Sequence, residues 1–247
     1  MIYAVLACFV AAMLAPALRR LLGGGIGWAL ALLPAGLFAY FLGQAGRVRE
    51  QGQLLERIAW VPGLDVDLTF YLDGLSLLFA LLITGIGTLI VIYAGGYLRG
   101  DPRLGRFYLF LLLFMGSMLG VVLASNVITL FVFWELTSFS SYGLIGFTHE
   151  RERSRHAALQ ALLVTTLGGL AMLAGLILLG SMGGSFELAE LVNAQGLASQ
   201  PLFTGMLLLI LAGAFTKSAQ FPFHFWLPSA MEAPTPVSAY LHSATMV

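Results

Sequence analysis

Residues 75–93 read LSLLFALLITGIGTLIVIY, an uncharged apolar run of about 20 residues, long enough as a helix to cross a hydrocarbon core of roughly 30 Å. Working outward, comparable runs fall near Met1 to Leu18, Ile26 to Ala45, Phe107 to Ala124, Val127 to Phe147, Ala157 to Leu179 and Leu202 to Phe221. A last one starts near Ser229, so the chain is predicted to hold seven spans plus an incomplete eighth. Period-2 alternation is absent from these runs, and backbone groups in lipid must be satisfied within their own segment, which leaves helices. The predicted fold class is all-α, a polytopic transmembrane helical bundle.

Composition agrees. The mean hydropathy is +0.92, 59% of the 247 residues are hydrophobic and 10% are charged. Soluble domains carry roughly 25% charged residues. The formal net charge is zero and no basic run alternates with aromatics, which sets nucleic acid aside as a partner. Cys8, the single cysteine, lies in an apolar segment, so the chain has no internal disulfide and no four-cysteine zinc or iron-sulfur site. No nucleotide loop, Ser/His/Asp arrangement or HExxH spacing occurs; no cofactor and no metal are expected, and the chain does not read as an enzyme. The amino terminus lacks the basic region of a signal peptide, because Arg19 and Arg20 follow the apolar run, and is expected to stay attached as the first span.

Between the second and third spans, residues 47–73 are more polar, and WVPGLDVDLTFYLDG alternates well enough for a short extramembrane hairpin. Arg19, Arg20, Arg99, Arg103, Arg106, Arg151, Arg153 and Arg155 fall in one set of alternate loops, and Arg47, Arg49 and Arg57 in the other. By the positive-inside rule the first set is cytoplasmic, so the amino terminus and the hairpin are expected outside, on the periplasmic side of a bacterial inner membrane. Gly23 with Gly27 and Gly116 with Gly120 have the small-xxx-small spacing of close helix packing, although glycine is common in such helices.

Two charges stand where lipid should forbid them. Lys217, the only lysine, sits late in LLLILAGAFTKSAQF, and Glu135 lies within LFVFWELTSFSSYG. A charge at the bilayer centre costs about 2.5 to 3.5 kcal/mol on insertion scales, so such groups face the bundle interior, paired or hydrated. Burial and a nearby opposite charge push a lysine in contrary directions, so a lysine whose acid partner moves can take and release a proton. A static ion pair that fixes packing is the alternative. Pro222 removes a helical donor just after Lys217, and Pro228, Pro234 and Pro236 extend the irregularity. A broken helix is expected from Lys217 to Pro228, either lining an ion path or serving as a plain loop between spans. His224 and His242 follow the break and could pass protons near neutral pH, whereas His149 and His156 flank a charge run and read as solvated. Thr137, Ser138, Ser140, Ser141 and Tyr142 could hold water along a path or bond back to their own helix.

The strings YLDGLSLLFALLITGIGTLIVIYAGGYL from Tyr71, FWELTSFSSYGLIGF from Phe133 and KSAQFPFHFWLPSAMEAPTPVSAYLHSATMV from Lys217 closely resemble the large A subunits of Mrp-type multisubunit Na⁺/H⁺ antiporters. These are related to the antiporter-like, proton-pumping subunits of respiratory complex I. The resemblance implies an antiporter-like subunit fold with two inverted helical repeats and a broken helix in the first. Residues 1–106 would then be N-terminal membrane helices with the hairpin, and residues 107–247 a first proton-translocating repeat, incomplete at its C-terminal end. In that family a lysine commonly follows HSATMV, whereas this chain stops at Val247, and ending inside an apolar segment reads as a fragment. The resemblance places proton transfer on Glu135 and Lys217, and a hydrated continuation on His224 and His242. It implies other subunits of a membrane complex, the lipid bilayer, protons and Na⁺ as partners. The expected function is that of a proton-translocating subunit of a monovalent cation/proton antiporter. A complex I subunit driven by redox chemistry elsewhere, and a scaffold that transports nothing, are the alternatives.

Overall fold

The computed structural model describes residues 1–61 and 66–245 of the chain. Helices α1 (Ile2–Leu22) and α2 (Ile26–Gln51) are parted by a 3₁₀ turn at Gly23–Gly25. Gly23 has φ 54°, a conformation open to glycine without Cβ strain. The chain reverses there: the Met1 ammonium meets the Glu56 carboxylate, just beyond the far end of α2.

An antiparallel hairpin follows, β1 (Leu54–Val61) paired with β2 (Val66–Leu72) from Leu54 opposite Leu72 onward. It is shorter than the polar stretch suggested, because α2 runs on to Gln51. The turn residues Pro62 and Gly63 of the expected hairpin lie outside the described residues. Asp73 then starts α3 (Gly74–Tyr97) with a capping box: its carboxylate accepts from Ser76 N at 2.8 Å, and Ser76 Oγ accepts from Asp73 N at 2.7 Å. The bundle continues with α4 (Leu104–Leu123), α5 (Val127–Ile145), α6 (Glu152–Gly183), the short α7 (Leu188–Asn193) and α8 (Phe203–Lys217). After α8 come α9 (Trp226–Ala230), α10 (Thr235–Tyr240) and a π-helical turn at Leu241–Thr245.

Among the described residues, the helical stretches long and apolar enough to cross a membrane are Ile2–Gln51, which holds the α1–α2 reversal, Gly74–Tyr97, Leu104–Leu123, Val127–Thr148 and Glu152–Gly183. Helices α1 to α6 and α8 coincide with the seven predicted spans. The seventh is shorter than expected: α8 ends at Lys217 rather than near Phe221, since Ala219 takes φ 53° and Pro222 has no N–H to give. Nor does the final apolar segment form one long helix, for its prolines leave only α9, α10 and the π turn.

Apolar side chains cover the outside of the bundle as well as filling its core. Leu32, Leu89 and Leu167 point outward at 75%, 67% and 67% exposure. Lipid is as apolar as leucine, so close packing and hydrogen bonds hold the bundle together. Helix α1 packs on α4, α2 on α3, α5 between α4 and α6, and α6 on α8 and α9. Gly116 meets Cys8 and Phe9 of α1, and Gly120 takes the Phe133 ring of α5, so this glycine pair does mark close packing. Of the other pair only Gly27 is an interhelical contact, against Gly95 and Tyr108, while Gly23 makes the turn.

The two ends of the bundle differ in charge. At the hairpin end Glu187 ties three segments, accepting from Thr69 Oγ1 at 3.0 Å, Asn126 Nδ2 at 3.0 Å and Ser125 Oγ at 3.3 Å. Asn126 also caps α5 through Oδ1, which accepts from Ile128 N at 2.9 Å. At the opposite end Arg103 bonds Asp101 and reaches Glu150 at 2.8 Å, and Arg106 donates to Phe147 O at 2.6 Å. Gly105 there lies against Pro16 and Arg19, and Arg106 and Arg155 both reach His149, so the arginines at the end of α1 and the starts of α4 and α6 share one face. Arg103 holds the Asp101 carboxyl below the usual carboxylate range by hydrogen bonding, assisted by its charge.

Candidate functional site

The site forms where α5, α6 and α8 meet. Helix α5 carries Trp134, Glu135 and Ser138 on its inner side, and α8 delivers Lys217 as its last helical residue. Lys217 Nζ donates to Ser138 Oγ at 2.8 Å and to Trp134 O at 3.4 Å, with Nζ 5.4 Å from the Trp134 ring centroid. A cation over an indole face is favourable in a dry setting. The lysine is thus held by dipoles and a π system one turn away from Glu135. Among the described residues no direct salt bridge joins the two, although each lies within reach of the other's charge.

Glu135 points instead at α6. Its Oε1 is buried and makes no well-formed hydrogen bond; the Thr166 hydroxyl of α6 lies beside the carboxylate as its nearest donor, and Trp134 Nε1 is a further buried polar atom without a partner. Orphaned buried polar atoms are costly, and a concentration of them is a place for water or for a changing protonation state. Small residues let these groups sit inside the bundle. Gly168 and Gly169 of α6 face Thr216 and Glu135, and Gly213 of α8 lies against Gly168 O and Met172.

Beyond Lys217 the chain irregularity is satisfied rather than loose. Gln220 N donates to Phe215 O at 2.9 Å, and Trp226 Nε1 folds back onto Thr216 O at 2.9 Å, a carbonyl that otherwise accepts only a long bond from Ala219 N at 3.4 Å. This fold-back shapes a cavity of about 30 Å³. Its polar lining is Lys217, Ser141, Thr165, Ser238 and His242, within walls that include Phe114, Ile145 and Trp226. One water needs roughly 10–15 Å³ by this measure, so the cavity has room for about two.

The structure therefore brings Lys217 and His242 to one cavity and sets Glu135 one turn behind. His242 Nε2 also lies 3.4 Å from Met231 Sδ. His224 is not in this group: it is exposed on the chain's surface, with its ring stacked on Phe221. Of the hydroxyls expected to hold water or bond their own helix, Thr137, Ser140 and Ser141 do the latter, to Trp134 O, Leu136 O and Ser138 O. Ser138 alone of them receives Lys217. Sequence reasoning missed Thr165, Thr166, Ser238 and the Gly168–Gly169 pair. The run TTLGG inside an apolar span was the available signal.

Comparison with known proteins follows the same lines. The family model described as NADH:quinone oxidoreductase/Mrp antiporter, TM, matches residues 124–247, just over half of the chain. The chain belongs to that family. A second model, described as NADH-Ubiquinone oxidoreductase (complex I), chain 5 N-terminus, matches residues 59–108. The chain is 52% identical over 223 residues to the Na(+)/H(+) antiporter A1 subunit of Staphylococcus haemolyticus (strain JCSC1435), covering 90% of the chain and 28% of that relative. It is 53% identical, with the same coverage, to the Na(+)/H(+) antiporter A subunit of Alkalihalophilus pseudofirmus. The chain thus spans little more than a quarter of the length of the curated relatives it matches. Among solved structures, that of the Mrp complex from Dietzia sp. DQ12-45-1b superposes with a TM-score of 0.89 at 39% identity, over 99% of this chain and 26% of that one. The membrane-bound sulfane sulfur reductase, an archaeal respiratory membrane complex, shares the fold at a TM-score of 0.81 and 20% identity, over 98% of this chain and 51% of that one. A member of the NADH:quinone oxidoreductase/Mrp antiporter family with these apolar helices is a multi-pass membrane protein.

Proposed function

We propose that the chain forms part of a proton path in a monovalent cation/proton antiporter subunit, with Lys217 as the group that takes and releases the proton. The observation that carries this is the cavity that Lys217 shares with His242, Ser141, Thr165 and Ser238. Lys217 exchanges protons with His242 through water held there, and Glu135, one turn behind Ser138, biases the lysine by its charge. His224, exposed on this chain, belongs to the continuation of the path beyond the cavity. Residues 107–247 act as the first translocating repeat and residues 1–106 flank it. Relatives named as Na(+)/H(+) antiporter subunits favour Na⁺ as the exchanged cation and other antiporter subunits as partners. The arginine-rich end lies in the cytoplasm and the hairpin end outside the cell membrane.

A second reading, the equivalent subunit of a proton-pumping NADH:quinone oxidoreductase, rests on the match of residues 59–108 to the chain 5 model. Substitution of Glu135 by Gln in the full-length parent complex tests the proposal. If Glu135 serves a relay, cation-dependent proton movement fails while assembly is kept; if it is only a packing element, assembly weakens and movement per assembled complex is spared.

A further inference from the structure

Glu135 Oε1 makes no well-formed hydrogen bond, with only the Thr166 hydroxyl beside the carboxylate, yet the group is accommodated inside the bundle. A missing side chain leaves it room. A Cβ built on Gly169 would collide with Glu135 Oε1 and lie 3.1 Å from its Cδ and 3.6 Å from Trp134 Cδ1. One residue earlier, a Cβ on Gly168 would collide with Thr216 Oγ1 and lie 2.6 Å from Thr216 Cβ. Adjacent positions on α6 thus seat the acid of α5 and the neighbour of Lys217 on α8.

We propose that Gly169 is a positioning residue, whose bare backbone sets where the Glu135 carboxylate rests and hence its distance from Lys217. The inference rests on the reading of Glu135 and Lys217 as a relay. The two glycines differ in what a methyl group would displace. At Gly168 the obstruction includes Thr216 Cβ, fixed to the α8 backbone, so α8 itself would have to withdraw. At Gly169 it is the far end of a flexible side chain, which can swing away while the helices stay in place. Lys217 of α8 is the charge that acts on Glu135 from a packed element, while α6 contributes the uncharged Thr166 and Gly169. Moving the carboxylate therefore changes its coupling to Lys217, and the coupling governs the pH at which the lysine gives up its proton.

The test uses the full-length parent complex in everted vesicles, reading cation-dependent proton movement against pH at matched assembly. Gly169→Ala is expected to lower exchange several-fold and to displace the pH profile by about half a unit or more. Glu135→Asp, introduced with Gly169→Ala, draws the carboxylate back by about 1.5 Å and should restore part of the loss, more than the two single effects predict together. A wild-type rate and pH profile in Gly169→Ala would overturn the proposal. If Gly169→Ala blocks assembly, restoration of assembly by Glu135→Asp supports the seat, and failure to restore it overturns it. Unimpaired exchange in Glu135→Gln would instead sink the relay reading itself, which keeps the two failures apart.

Discussion

At the scale of single residues, the grip on Lys217 decides what its proton can do. Ser138 Oγ at 2.8 Å is its nearest acceptor, with Trp134 O at 3.4 Å, the Trp134 ring and the polar cavity around it. A hydrogen bond to a charged group contributes about 1.5 to 3 kcal/mol, and each 1.36 kcal/mol is about tenfold in rate. Ser138→Ala should therefore reduce cation-dependent proton movement by roughly tenfold or more at unchanged assembly, whereas Ser138→Thr, which keeps the hydroxyl, should retain most of it. Equal rates in Ser138→Ala and wild type would remove Ser138 from the path. Both Lys217 and Glu135 were legible as anomalies because lipid penalises charge so heavily that two charged residues inside apolar runs stand out. Gly168 and Gly169 were not legible, because a glycine announces space without saying what fills it.

At the scale of elements, two polar junctions fix the ends of the helices. Glu187 joins β2, the α4–α5 turn and the start of α7 through three hydrogen bonds. Glu187→Ala leaves Asn126 and Thr69 short of an acceptor, at a cost of about 1–3 kcal/mol, and should lower the thermal stability of the purified complex without altering the pH profile of exchange. The opposite junction is pH-sensitive. Arg103 keeps the Asp101 carboxyl below its ordinary range, so as pH falls the unfolded chain takes up this proton first. The stabilisation is complete above the ordinary carboxylate value of about 4 and is lost as pH falls through the lower folded value. The Asp101–Arg103 pair is partly exposed at the end of the bundle, where solvent screens it, so the contribution stays at about 1 kcal/mol or less, and Asp101→Asn should flatten only part of the acid limb of a stability-against-pH curve. The spans themselves were readable from runs of about 20 apolar residues, each a sufficient instruction in lipid. The early end of α8 was not, since Pro222 dictates that a helix must stop but leaves the last residue to Ala219 and to the Trp226 indole that covers Thr216 O.

At the scale of the whole molecule, the asymmetry of arginine between the two ends predicts orientation. Cys8 is buried, so thiol labelling can report from introduced positions alone. In intact cells a membrane-impermeant thiol reagent should label Gln53→Cys, at the hairpin end, and spare Glu152→Cys, at the arginine-rich end, both exposed in the fold. The reverse pattern would invert the bundle. The same architecture separates two tasks: glycine-mediated packing of α1 to α4 builds a rigid wall, while α5, α6 and α8 leave polar atoms unpartnered around Glu135 and a small cavity at Lys217. That division concentrates the cost of buried polarity where proton movement would use it.

The central claim is that Lys217 takes and releases the transported proton, and cation-dependent proton movement in everted vesicles carrying the full-length parent complex tests it most directly. With Na⁺ as the cation and assembly matched, Lys217→Ala is predicted to abolish exchange; exchange at the wild-type rate would contradict the account and leave Lys217 as a packing element.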